Sequence, residues 1–257
     1  MYKIRKQKKA FTLVELLVVI SIIAILLAMI IPALGGARQQ AKTVICTSNL
    51  KQFGQAFGMY LADYSGNVFM QAYIGKNEQG ELGTFWYYGF EPTYASSLPE
   101  GERPLFRKYA KLYPYIEQYD SIEICPAFPY GSGMYKPKYN TKWMTYGINA
   151  NLSLDRRGET PKYIDLDNQV KSPQNLLIFA DSAQVNTFQS PASPSNPMVE
   201  EWHYVESGKP FIHFRHNQKA NILFGDGHVS ASKPEKDSID RRMPELNIGR
   251  FDKEIRF

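Results

Sequence analysis

FTLVELLVVISIIAILLAMII, Phe11 to Ile31, is a run of 21 residues broken only by Glu15 and a few hydroxyls. As a helix rising about 1.5 Å per residue it is about 31 Å long. The hydrocarbon core of a bilayer is roughly 30 Å thick. The run therefore predicts one membrane-spanning helix, and its flanks set the topology. Lys3, Arg5, Lys6, Lys8 and Lys9 precede it, while charge is scarce just after it. Positive charge is retained on the cytoplasmic side, so everything after Leu34 is expected to cross. The expectation is a single-pass protein of the bacterial inner membrane, N-terminus cytoplasmic and C-terminal domain periplasmic.

The same five basic residues explain the net charge. The chain carries 30 Lys and Arg against 25 Asp and Glu, +5 in all. Without residues 1–10 it is formally neutral, so basicity gives no reason to expect a nucleic-acid partner. At 257 residues, 44% hydrophobic and 21% charged, the chain suits one folded domain rather than a disordered polymer or a multi-span transporter.

Glu15 separates the readings of the apolar run. A signal peptide has an apolar stretch of only about 7 to 15 residues before a small-residue cleavage site, and Gly35, Gly36 and Ala37 would supply such a site. An ordinary anchor is the second reading. Neither accounts for a carboxylate in the span, which costs about 2.5 to 3.5 kcal/mol on insertion scales unless a partner compensates it. A new positive charge close by would do so.

Read as KKA followed by FTLVELLVVISIIAILLAMIIPAL, the segment resembles the prepilin signal of type IV pilins and type II secretion pseudopilins. In that family a membrane peptidase cuts before the Phe and methylates the new amino group. The resemblance implies cleavage between Ala10 and Phe11 and methylation of Phe11. The freed ammonium would then face Glu15, within the subunit or in the next one of a filament. The family usually has Gly before the scissile bond, and here it is Ala10, the smallest change of side chain. Pro32 stands where pilins commonly place a proline. The implied function is that of a membrane-anchored filament subunit and not an enzyme: a pseudopilin of a type II secretion system or a related pilus. Its implied partners are the prepilin peptidase, other pilin or pseudopilin subunits and the inner membrane.

From Arg38 to Tyr64, the residues Cys46, Leu50, Phe53, Phe57, Tyr60 or Leu61, and Tyr64 recur at steps of three and four, one face of a helix. Arg38, Gln39, Lys42, Asn49, Lys51, Gln52 and Gln55 lie largely off that face. Ser65, Gly66 and Asn67 end it with residues that tolerate a left-handed turn. In pilin-like proteins this back half of a long helix packs on an antiparallel sheet. The expected fold is thus α+β and pilin-like, with leader 1–10, transmembrane helix 11–34, amphipathic continuation 35–66 and exported domain 67–257. CTSNLKQFGQAFGMYLADYSG also resembles a subgroup of exported prepilin-type proteins that carry a C-terminal H-x9-DG motif.

Beyond Gly66 the chain is rich in Tyr, Pro and Gly with short apolar runs, which suits strands and long loops. TFWYYGFEPTY, Thr84 to Tyr94, is read first as aromatics packed at a sheet. The alternative is an anchored binding domain using these rings for a carbohydrate or another surface polymer. LLIFA, ending at Ala180, has buried-strand composition. QSPASPSNP, Gln189 to Pro197, is a loop. Cys46 and Cys125 are compatible with one disulfide in an oxidising compartment, and the resembling subgroup implies a bridge pinning the helix to the domain. Two separate thiols remain the other reading. By loop entropy, a bridge closing about 80 residues would stabilise by roughly 4.5 kcal/mol.

FRHNQKANILFGDGHVS, residues 214–230, contains His216, nine residues, then Asp226 and Gly227. Asn221 to Phe224 reads as a strand, Asp226-Gly227 as a hairpin turn and His228 to Ser230 as the start of the return strand, with the motif unit spanning 211–230. Gly227 supplies a positive φ. Asp226 is expected to accept local backbone hydrogen bonds and to lie within reach of His216. A cation on Asp226 with His216, His228 or Asp181 is the alternative to this structural clasp. Calcium would take several oxygens and zinc three or four ligands; neither set is complete locally. No metal is therefore expected, with Ca2+ kept as the alternative.

Overall fold

The computed structural model describes residues 12–116, 119–152, 166 and 170–251. The cleavage point expected between Ala10 and Phe11 lies outside the described residues. There are two compact units, Met1–Ala41 and Lys42–Phe257. Helix α1, Leu13–Asp63, is 51 residues long and contributes to both. It runs through Pro32, Gly35 and Gly36, so residues 34 and 35 mark no change of secondary structure.

In the first unit every side chain from Thr12 to Ala41 is exposed, including the large apolar ones from Leu13 to Leu34. By length and composition this part of α1 is apolar enough to cross a membrane. The part within the second unit behaves differently. Cys46, Asn49, Leu50, Phe53, Ala56, Phe57 and Tyr60 are buried, the spacing of one helical face. Tyr64, expected on that face, is exposed, because the helix has already ended at Asp63. Asn49, expected off it, is buried with its amide donating to the Ile124 carbonyl at 3.3 Å. The end is closed by the Gly66 N–H on the Leu61 carbonyl at 2.8 Å, with Ser65 and Gly66 at φ of 53° and 79°. That six-to-one bond satisfies a carbonyl the helix leaves over.

Twelve strands follow among the described residues: β1 Ala72–Lys76, β2 Leu82–Trp86, β3 Gly89–Pro92, β4 Tyr146–Asn149, β5 Leu177–Asp181, β6 Gln184–Asn186, β7 Met198–Glu200, β8 Tyr204–Val205, β9 Ile212–His213, β10 Ala220–Phe224, β11 Val229–Ser232 and β12 Ile248–Gly249. The main sheet has the order β11-β10-β5-β4-β8. It is antiparallel, as expected, except where the two-residue β8 joins β4 in parallel. Gly147 allows this join: a Cβ there would lie 2.8 Å from a Tyr204 backbone carbon. Strands β1, β2 and β3 form a separate antiparallel meander.

The apolar face of α1 packs on the main sheet through rings. Phe53 meets Tyr146 of β4 and Phe179 of β5, at centroid distances of 5.8 and 5.5 Å, and Phe57 meets Phe179 edge-on. Such pairs contribute about 0.5 to 1.5 kcal/mol each beyond their area. A second apolar cluster, including Leu177, Ala180, Ile212, Phe214, Ile222 and Phe224, accompanies β5, β9 and β10. Every residue of β5 is buried, as the composition of LLIFA predicts. The architecture is α+β and pilin-like: one long N-terminal helix on strands joined by long loops.

Candidate functional site

Two regions hold the residues singled out from sequence, one at the start of α1 and one where α1 meets the main sheet. At the first, Thr12 and Glu15 cap the helix reciprocally. The Thr12 N–H donates to a Glu15 carboxylate oxygen at 2.8 Å, and the Thr12 hydroxyl donates to the same oxygen at 2.8 Å. The Glu15 N–H donates to Thr12 Oγ1 at 3.2 Å. This is a capping box, T-x-x-E, whose signature is present in FTLVE. It gives the carboxylate local donors independently of any ammonium. Phe11 and Ala10 lie outside the described residues.

At the second, Cys46 and Cys125 form a disulfide with a Cα separation of 5.3 Å, tying α1 to the segment that precedes β4. The Cys125 N–H donates to Thr145 Oγ1 at 2.8 Å. His216 Nε2 lies 3.4 Å from Cys125 Sγ, and its Nδ1 lies 3.1 Å from Thr43 Oγ1, one helical turn before Cys46. Asp181, the last residue of β5, is wholly buried. Its Oδ1 accepts from Arg215 Nη2 at 2.6 Å, and its Oδ2 accepts from the Asn221 N–H at 2.7 Å and lies 3.3 Å from His216 Nε2. Arg215 also donates to the carbonyls of Thr145 and Ser182, at 2.8 and 3.1 Å. A carboxylate and two carbonyls thus give the terminal nitrogens of this buried cation strong acceptors.

The H-x9-DG motif is therefore split. His216 precedes β10 and Asp226 follows it, and a five-residue strand spans about 16 Å. His216 meets Asp181, not Asp226 as expected. Asp226 is exposed in the turn, accepting from the His228 N–H at 3.1 Å and pairing with the His228 ring. The backbone bond to the His228 N–H, followed by that to its ring, lowers the Asp226 carboxyl below its usual range. Gly227 has φ of 85°, and β10 returns as β11. His216, Asp226 and His228 thus do not share one site. Asp181, named only as a nearby carboxylate, is the residue to which His216 is joined, and Arg215 and Thr43 were missed. The tandem Arg215-His216 before a strand was the available signal; their partners come from far along the chain.

The aromatic stretch is mostly core. Tyr87, Tyr88 and Phe90 are buried and Tyr94 is exposed. A cleft of about 420 Å³ lies elsewhere, lined by Tyr60, Tyr64, Asn67, Phe69, Met70, Tyr73 and Lys111. Of these, Lys111 is held below the usual amine range by burial.

The neighbouring acids Glu200 and Glu201 are both buried but differ in partners. Glu200 accepts from Lys136 Nζ at 3.0 Å and Asn186 at 2.7 Å. Glu201 accepts from the Tyr135 hydroxyl at 2.8 and 3.0 Å, and burial pushes its carboxyl up to about 7. The folded chain thus keeps a proton there up to about pH 7 that the unfolded chain releases near 4.5. Stability from this group is full below 4.5 and falls as pH rises through 7. Glu201→Gln is expected to stabilise by about 3 kcal/mol at pH 8 and by almost nothing at pH 4.5. Unfolding midpoints of both proteins at the two pH values check this; a difference independent of pH would refute the assignment.

Residues 5–31 match the family model described as the prokaryotic N-terminal methylation motif. The chain is 36% identical over 59 residues to the type II secretion system core protein G of Pseudomonas aeruginosa, covering 23% of this chain and 42% of that protein. It is 42% identical over 67 residues to the type IV wide pilus major component PilA4 of Thermus thermophilus, covering 26% of this chain and 51% of that one. The chain thus spans about half, or less, of the length of these curated relatives. No solved structure matches. The N-terminal part of the chain is pilin- or pseudopilin-like.

Proposed function

Starting from an N-terminal segment that carries a methylation motif, we propose that this chain is a membrane-anchored subunit of a pseudopilus or related type IV pilus. It is cut between Ala10 and Phe11 by a prepilin peptidase, methylated on Phe11, and assembled through the exposed half of α1. The observation that carries this reading is the apolar surface from Leu13 to Leu34, wholly exposed and continuous with the motif. Such a surface needs lipid before assembly and neighbouring helices after it. The names of the two relatives, a secretion-system core protein and a pilus component, support the same class.

Glu15 has two tasks in this scheme. Its capping bonds to Thr12, the residue that follows Phe11 in the sequence, hold the carboxylate at the first turn of α1. The ammonium then neutralises it inside the helix bundle, in the same subunit or the next. Mass analysis of protein from cells should find methylated Phe11 as the first residue. Glu15→Val should insert normally yet lose filament incorporation at least about tenfold, because an unpaired charge in the bilayer costs about 2.5 to 3.5 kcal/mol. Crosslinking of subunits in cells reads the loss. An N-terminus at Met1, or undiminished incorporation of the variant, would end the proposal.

A further inference from the structure

The two sulfurs and His216 Nε2 converge at the junction of α1 and the sheet, all within 4.8 Å of one another and all from buried residues. We propose that reduction of the disulfide turns this cluster into a binding site for a thiolate-preferring metal ion, with Zn2+ as the ion it fits. Cys46, Cys125 and His216 are the ligands.

Geometry favours this. Tetrahedral zinc holds thiolate sulfur at about 2.3 Å and imidazole nitrogen at about 2.0 to 2.1 Å, so ligand atoms stand roughly 3.3 to 3.8 Å apart. His216 Nε2 is already 3.4 Å from Cys125 Sγ. A Cα separation of 5.3 Å lets both cysteines reach one ion. Zinc-binding histidines are oriented by a hydrogen bond at the other ring nitrogen. Thr43 Oγ1 occupies that position, 3.1 Å from Nδ1. Asp181 Oδ2 lies 3.3 Å from Nε2, outside the three-ligand cluster, and gives up that contact when the ring nitrogen takes the metal.

Charge balance agrees. Two thiolates and Zn2+ sum to zero, and the adjacent Asp181 and Arg215 already form a pair. A buried cluster with no net charge avoids the several kcal/mol that an uncompensated ion would cost. The chemistry is that of an ordinary dithiol reductant. The sulfur–sulfur bond breaks, the dithiol closes its own disulfide, and its two hydrogens pass to Cys46 and Cys125. Zinc then displaces both as protons to solvent. The metal takes over from the covalent bond the task of holding α1 on the sheet, whatever the chain does in a filament.

The test uses the full chain in detergent micelles, reduced with dithiothreitol and desalted without oxygen. It is titrated with Zn2+ against a chromophoric chelator and, in parallel, with Co2+. One equivalent should bind, with sulfur-to-cobalt charge transfer and the absorption of a tetrahedral site; the oxidised chain should bind none. His216→Asn and Cys46→Ser should lose stoichiometric binding. Thr43→Val, which keeps every ligand, should weaken it about 10- to 100-fold. Circular dichroism of each reduced variant establishes that it is folded, and Thr43→Val decides the matter if the ligand variants are not. No uptake by the reduced chain, cobalt spectra without charge transfer, wild-type affinity in any folded ligand variant or, where none folds, wild-type affinity in Thr43→Val would overturn the proposal.

Discussion

Asp181→Ala is expected to destabilise the Lys42–Phe257 unit by about 3 to 5 kcal/mol, the range found when one member of a buried ion pair is removed. Three groups lose their acceptor together: the Arg215 guanidinium at 2.6 Å, the Asn221 N–H at 2.7 Å and His216 at 3.3 Å. Arg215 is itself buried, and the carbonyls of Thr145 and Ser182 and the His213 ring that stay with it carry no negative charge to offset its own. Desolvation, rather than the lost attraction, makes this large. The double variant Asp181→Leu with Arg215→Met should therefore recover part of the loss, since apolar pairs can replace buried ions at little cost. Thermal unfolding of the full chain in detergent, followed by near-ultraviolet circular dichroism, measures both. A loss under about 1 kcal/mol for Asp181→Ala would mean that the pair is open to water.

Removing the bridge is the second large effect. Cys46→Ser combined with Cys125→Ser releases a loop of 79 residues and is expected to cost up to about 4.5 kcal/mol through the entropy of the unfolded chain. Small domains have about 5 to 15 kcal/mol in total. The variant should thus be destabilised on the same scale as Asp181→Ala and should show the loss chiefly as faster unfolding of α1 from the sheet. Hydrogen exchange at Leu50, Phe53 and Phe57, compared between oxidised wild type and the variant, localises it. Unchanged protection there, with stability lost elsewhere, would contradict the role of the bridge as the fastening of the helix.

What the sequence revealed follows the range of the interactions involved. The apolar half of α1 and the buried face of its other half are properties of local sequence pattern, so Leu50, Phe53 and Phe57 were identifiable. The turn at Asp226-Gly227 is set by two residues and was equally clear. Asn49 was misplaced because its burial depends on a carbonyl from Ile124, 75 residues away. The parallel strand β8 escaped because it is two residues long and exists through the absence of a side chain at Gly147. The partners of His216 were invisible for the same reason: Thr43 is 173 residues before it and Cys125 is 91 before it. The spacing H-x9-DG suggested a contact between its ends, whereas the intervening strand holds them apart.

The position of Cys46 also determines how the molecule bears load. It lies only four residues after Lys42, where the folded unit begins, and the aromatic packing of Phe53, Phe57 and Tyr60 comes later along α1. Tension entering from the N-terminal end of the helix reaches a covalent stop before it reaches those rings. In the proposed filament, traction would then be borne by a bond rather than by noncovalent contacts, and the domain would be dragged as a whole instead of being peeled open.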